Sequence, residues 1–209
     1  MLLHTAGFGY DFFNHDLVEY GHAKNVPSVV SRSMDSLRSV LVHEPGERWE
    51  YGSHIDWAGK VEGACGKRLG AVFSERIFGP LDMNDSSFEP TASMRQRRVT
   101  MHRRSDDGPL TPLPDFELPP NPEQHMGGHG LYATVGDYMT FIRMVLNDGA
   151  SAHRRMLKAE TAARMSENGL GDLKIRLLPG AIPSLSNDAE FFPLSWIYGA
   201  HPKRSFHIG

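Results

Sequence analysis

The stretch Pro45-Gly46-Glu47-Arg48-Trp49-Glu50-Tyr51-Gly52-Ser53 carries the strongest chemical signal, because a helical pattern follows it at once. A tyrosine at such a turn lies at the positive end of the helix dipole, which favours the phenolate and lets the hydroxyl exchange protons with a nucleophile. The commoner role of a tyrosine in this setting is a packed ring with a hydrogen-bonded hydroxyl, and both readings are open at this point. His125 and His129 stand four apart, the spacing of two metal ligands on one helix face, but the intervening Gly127-Gly128 disfavours a helix. No H-E-x-x-H occurs and no carboxylate completes a set, so no metal is expected and the two imidazoles are read as partly exposed in a glycine loop. The sequence also lacks a G-x-S-x-G elbow, a G-x-x-x-x-G-K-S/T phosphate loop and a G-x-G-x-x-G fingerprint, so no cofactor is expected.

The elements that must position these residues are helices joined by long loops. Apolar periodicity predicts helices over Ser33 to Val42, from His54 or Ile55 towards Ala64, over Leu69 to Ile77, and over Lys158 to Asn168. The clearest has Thr134 as N-cap with Asp137 three residues on, places Val135, Tyr138, Phe141, Ile142, Val145 and Leu146 on the buried face, and stops at Asp148-Gly149. From Glu89 to Gln124 the chain is proline-rich and aperiodic, a long loop or a pair of edge strands. After Pro179 regular pattern is lost, and no internal repeat is present.

At 209 residues with 40% apolar content, the chain is long enough for a core and falls outside the disordered, collagenous and coiled-coil classes. Lysine and arginine number 22 against 25 acidic residues, a balance that argues against a nucleic-acid surface. The one basic cluster, Arg95, Arg97, Arg98, Arg103 and Arg104, reads as a solvated loop in preference to an anion-binding patch. The single cysteine, Cys65, implies no disulfide and is read as a small buried residue. No window approaches a membrane span, so a soluble chain with no membrane partner is expected. It is cytoplasmic as given, or periplasmic if an export signal lies upstream of Met1.

Four segments, in order, resemble motifs of the serine β-lactamase-related family, especially class C β-lactamases and the esterases that share their fold. Leu2-Leu3-His4-Thr5-Ala6-Gly7-Phe8 resembles L-L-x-H-T-S/A-G, one residue short between Leu3 and His4. Pro45 to Ser53 is similar to P-G-x-x-W-x-Y-S-N. Phe78-Gly79-Pro80-Leu81-Asp82-Met83-Asn84-Asp85-Ser86 resembles I-F-x-P-L-G-M-x-D-T, and Gly127-Gly128-His129-Gly130-Leu131-Tyr132-Ala133-Thr134-Val135-Gly136-Asp137-Tyr138 resembles G-G-G-G-L-Y-S-T-x-x-D-Y. The match runs from Leu2 to about Leu157.

The resemblance implies an α+β, β-lactamase/transpeptidase-like fold, a helical domain on an α/β sandwich with the active site between them, of which this chain supplies mostly the helical part. Residues 1–193 are expected to form that partial domain and 194–209 a divergent tail. By resemblance Tyr51 stands at the catalytic tyrosine and Ser53 where a substrate-positioning asparagine is usual; His54 is read as an exposed first-turn residue. His207-Ile208-Gly209 spells the H-x-G that closes the site in many related esterases, a second substrate-binding candidate. Family chemistry needs an S-x-x-K helix, whose serine attacks a carbonyl and whose lysine takes the proton. No serine here has lysine three residues on, so that helix is expected upstream of Met1. The implied parent activity is hydrolysis of small acyl esters or β-lactams, with the isolated chain inactive. The rivals are a non-catalytic ligand-binding module and a histidine-based metal hydrolase.

Overall fold

The computed structural model describes residues 1–60, 66–103 and 108–182. Cys65, Arg104, His207 and the expected tail 194–209 lie outside the described residues. Among these residues the architecture is six α-helices, several single turns and one small hairpin.

Helix α1, His15–Lys24, was not legible as a periodic stripe, since Leu17 is its one buried residue. It is fixed at its ends instead: the Asn14 side chain accepts from the Leu17 amide, and Asn25 closes the helix in the left-handed conformation. The helix expected over Ser33 to Val42 does not form; only a 3₁₀ turn, Met34–Leu37, occurs there. Tertiary pairing overrides the periodicity. The Val42 amide donates to Gly7 O at 2.8 Å, Gly46 N to Thr5 O at 2.7 Å and Glu50 N to His4 O at 3.0 Å, which lays this segment alongside residues 4–7. Leu37 is buried, while Val40 and Leu41 point to solvent.

Helix α2 is His54–Gly59 and α3 is Leu69–Phe73. The latter continues through a π turn, Ser74–Phe78, and a 3₁₀ turn, Gly79–Leu81, so the stretch expected as one helix is helical but widened at its end. Helix α4, Ala92–Gln96, precedes the hairpin of β1, Met101–Arg103, and β2, Thr111–Leu113, antiparallel with Met101 opposite Leu113. Of the two alternatives for 89–124, a long loop or a pair of edge strands, the described residues show a short strand pair set in irregular chain.

Helix α5, Val135–Leu146, has Thr134 as its N-cap, the hydroxyl accepting from Asp137 N at 3.2 Å. The Asp137 carboxylate turns outward to accept from Asp85 N and the Ser86 hydroxyl, at 2.8 and 2.9 Å. Its buried face is narrower than the periodicity suggested: Val135 is 82% and Leu146 79% exposed, and Tyr138 is exposed as well. Met144, with Phe141 and Val145, makes the contact with the core. Helix α6, Ala159–Arg164, is shorter than the expected 158–168 because Asn168 uses its side chain to accept from the Leu170 and Gly171 amides in a turn.

Three clusters make the core. The first gathers Tyr10, Val29, Leu37 and Met126; the second Trp49, Leu170 and Leu178; the third Phe78, Leu81, Met83 and Met144. Tyr51 and Phe13 pack against both the first and the second. Tyr51 therefore lies at a seam, and what holds that seam decides what its hydroxyl can do.

Candidate active site

The backbone around Tyr51 is built by close approach. A Cβ on Gly52 would lie 2.5 Å from Phe8 O and 2.6 Å from Gly9 Cα, so the residue after the tyrosine must be glycine for residues 8–9 to lie against it. That approach brings three rings around Tyr51. The His4 ring centre is 5.0 Å away, Tyr10 is 5.2 Å away in a T-shaped contact, and Phe13 is 6.3 Å away. Such offset and edge contacts hold a ring in one orientation at small energetic gain per pair.

Behind this collar lie two buried polar contacts that sequence reasoning missed. The Tyr10 hydroxyl donates to Asp56 Oδ2 at 2.6 Å, Gly128 N donates to Asp56 Oδ1 at 2.9 Å, and His129 Nδ1 lies 3.4 Å from the same oxygen. Asp56 is 1% exposed. Burial by itself would raise its pKa, but the hydrogen bonds from His129, Tyr10 and Gly128 outweigh that and hold the carboxyl below the usual carboxylate range. Burial, followed by the Asp56 charge, pushes the Tyr10 phenol far above its ordinary value, so Tyr10 acts here as a fixed donor. The signal for this hub was an aspartate inside an otherwise apolar helix, Ile55-Asp56-Trp57-Ala58, facing a glycine pair.

The second contact joins His4 Nδ1 to His54 Nδ1 at 3.2 Å. His54, expected as an exposed first-turn residue, is instead fully buried, because α2 enters the core ring-first between His4 and Phe8. Burial lowers both imidazoles to about 4, which keeps them neutral near pH 7. Beneath them Glu50, also 1% exposed, is paired with Arg176 and lies 3.4 Å from Arg48 Nε.

The glycine loop packs on α2. A Cβ on Gly127 would meet Ile55 O at 2.1 Å, and one on Gly128 would meet the Tyr10 hydroxyl at 2.8 Å. His125 is buried rather than partly exposed; it accepts from Gly70 N, donates through Nε2 to Glu89, and stacks on Phe88. Among the described residues no group of three His, Cys, Asp or Glu side chains gathers as a metal would need. Arg95 and Arg98 share Glu117 and Arg97 pairs with Asp85, so these three members of the basic cluster find carboxylates within the chain.

Tyr51 and Ser53 are not brought onto one surface. Ser53 lines a cavity of about 230 Å³ between α1 and the 26–39 loop, which Tyr10 also borders and Tyr51 does not. Tyr10 is the link between them.

The Beta-lactamase family model matches residues 1–206. The chain belongs to the Beta-lactamase family. Within that family it is 34% identical over 153 residues to monacolin J acid methylbutanoyltransferase of Aspergillus terreus, covering 70% of this chain and 37% of the relative. It is 31% identical to lovastatin esterase of Penicillium rubens over 82% of this chain and 44% of that one. Among solved structures, unliganded simvastatin synthase (LovD) from Aspergillus terreus superposes with a TM-score of 0.65 at 31% identity, over 81% of this chain and 40% of that chain. The fold is thus the β-lactamase/transpeptidase-like α+β fold, in part. The chain spans about two-fifths of the length of these relatives. No helix among the described residues is long and apolar enough to cross a membrane.

Proposed function

We propose that this chain carries the tyrosine-bearing half of a serine acyl-transfer site, acting on small acyl esters in preference to β-lactams. The observation that carries the reading is the placement of Tyr51, held between His4, Tyr10 and Phe13 where two core clusters meet. The preference for esters rests on the relatives, which are named as an acyltransferase and an esterase.

In this reading a serine hydroxyl attacks the ester carbonyl, and its proton passes by way of the neighbouring lysine to the Tyr51 phenolate. The C–O bond to the leaving alcohol breaks as Tyr51 returns that proton to the departing oxygen, leaving an acyl-serine. Water or a second alcohol then reverses the sequence, giving hydrolysis or transfer. No serine of the 209 residues is followed by lysine at the third position, so the nucleophile and its lysine come from outside them. Ser53, and His207 by its H-x-G, are the substrate-contacting candidates on this side.

Intact-mass analysis after incubation with a fluorophosphonate tests the reading. The chain alone is expected to gain no adduct. Extended at its N-terminus by the S-x-x-K segment of a relative, it is expected to gain one adduct on that serine, at a rate lowered at least a hundredfold by Tyr51→Phe. An adduct mapped to any residue of the unextended chain would overturn the division of labour, and unchanged labelling in Tyr51→Phe would remove Tyr51 from the chemistry.

A further inference from the structure

Asp56 is a core carboxylate to which the acyl-transfer chemistry gives no part, and among the described residues no lysine or arginine pairs with it. Its oxygens are filled instead by the Tyr10 hydroxyl at 2.6 Å, the Gly128 amide at 2.9 Å and the His129 ring at 3.4 Å. These contacts keep it ionised at 1% exposure. A buried anion with no guanidinium or ammonium beside it acts over several ångströms, because little water is near to screen it.

The shortest route from that charge to the Tyr51 collar runs through Tyr10. The Tyr10 hydroxyl is committed to Asp56, while its ring meets the Tyr51 ring in a T-shaped contact with centres 5.2 Å apart. Phe12 closes on the Tyr10 ring at 5.5 Å, and Tyr10 is only 7% exposed, so the ring is held in place. Burial first, and then the charges of Asp56 and Tyr51, disfavour ionisation of Tyr10, which puts the carboxylate and both hydroxyls within electrostatic reach of one another. The other groups around Tyr51 do not cancel the Asp56 charge. Burial keeps His4, and His54 behind it, neutral near pH 7; Phe13 is apolar; Arg176 and Arg48 are turned to Glu50.

We propose that Asp56 and Tyr10 form a positioning pair for Tyr51: Tyr10, pinned through its hydroxyl, fixes the Tyr51 ring, and the Asp56 charge makes the Tyr51 phenolate the stronger proton acceptor. Both residues act through Tyr51. The inference rests on the acyl-transfer reading for its purpose, since a tyrosine that takes and returns a proton is the one served by such tuning. A base strengthens as its conjugate acid holds the proton more tightly, so a fixed anion behind the tyrosine raises the drive for the proton-taking step. Asp56 lies in α2, which begins just after Tyr51, so one short piece of chain carries both the tyrosine and the charge that tunes it.

The test follows the Cζ resonances of the chain labelled with ¹³C-tyrosine through an alkaline titration, with Tyr51→Phe assigning the Tyr51 signal. In Asp56→Asn, which keeps the size of the side chain and removes its charge, Tyr51 is expected to ionise about tenfold more readily, the effect of losing a nearby unit charge at intermediate dielectric. Asp56→Glu, which keeps the charge, is expected to return that ionisation towards the parent chain, as a merely structural role would not. In Tyr10→Phe, which keeps both ring and charge, ionisation of Tyr51 is expected to stay within about twofold while its ring flips faster, seen as averaging of its two edge resonances. The resonance of Tyr138, on the exposed face of α5, reports an intact fold in each variant. Unchanged Tyr51 ionisation in Asp56→Asn would overturn the electrostatic role, and unchanged ring flipping in Tyr10→Phe, a variant that leaves the carboxylate in place, would overturn the positioning role. Fluorophosphonate labelling of the extended chain reads the acyl-transfer claim separately. Labelling that depends on Tyr51 with no effect of Asp56 removes this inference alone, and a tuned Tyr51 in a chain that never labels removes the acyl-transfer reading alone.

Discussion

His4 and His54 meet through their Nδ1 atoms at 3.2 Å, one donating and one accepting, inside a wall formed by Phe8, Trp49 and Tyr51. Two imidazolium ions cannot occupy that contact, since neither would have a lone pair to offer. Both pKa values fall to about 4 in the fold and return to the ordinary 6.5 on unfolding. The unfolded chain therefore binds more protons between these limits, and stability rises with pH across that window. Lowering the pH from 7 to 4.5 is expected to cost on the order of 3 kcal/mol, read from urea midpoints at several pH values. A flat profile over that range would contradict the contact.

Asp56 titrates in a separate window. Its carboxyl is held below the usual range, so its contribution is present above the ordinary carboxylate pKa and is lost only as pH falls through the depressed folded value. Asp56→Ala leaves the buried Tyr10 hydroxyl without its acceptor and removes the anchor of the Gly128 amide, and a loss of about 2 kcal/mol is expected by chemical denaturation. Tyr10→Phe is expected to cost about half of that, and the double variant less than the sum, since both remove one hydrogen bond.

Gly52 separates crowding from backbone strain. A methyl there meets Phe8 O at 2.5 Å, whereas Gly46, with φ of 87°, has nothing within 4 Å of an added Cβ. Gly52→Ala is expected to destabilise by about 3 kcal/mol and Gly46→Ala by about 1 kcal/mol. Equal midpoint shifts for the two would show that residues 8–9 do not press on the segment bearing Tyr51.

Glu50 is buried against Arg176 and Arg48, whose side chains are 44% and 35% exposed. Solvent discounts what either arginine contributes, but loss of Arg176 leaves a carboxylate in the core with the weaker partner alone. Arg176→Met is expected to cost about 2 kcal/mol, and Glu50→Leu in the Arg176→Met background to recover part of it. A thermal-melt series on the two singles and the double settles the sign.

Much of the helical framework could be read from the chain, and the reasons divide cleanly. Thr134 and Asp148-Gly149 bracket α5 by local chemistry, which tertiary structure leaves alone, so the bounds came through while the exposed Val135 and Leu146 did not. Met34 to Val42 has helical spacing but its end is drawn off by the Val42 amide donating to Gly7 O, a pairing between segments some 35 residues apart that no local window contains. Helix α1 buries only Leu17, and so offered no stripe to find. At the site, Tyr51 and Ser53 stood out by motif. His54 and Asp56 did not, since a polar residue on a first helical turn looks solvated unless its buried partners, His4 and Tyr10, are known to reach it.

The seam around Tyr51 also dictates an order of assembly. One of its flanks is Leu170 and Leu178 lying on Trp49, tied down by Arg176 reaching Glu50 across 126 positions of sequence. Contacts of that span close late, after the shorter loops are made. As the polypeptide leaves the ribosome, Trp49 and one side of Tyr51 stay uncovered until the segment beyond Asn168 has been synthesised and has docked. Indole fluorescence from Trp49 should therefore change last in refolding, and a nascent chain stalled before Leu170 presents that bare aromatic face to chaperones.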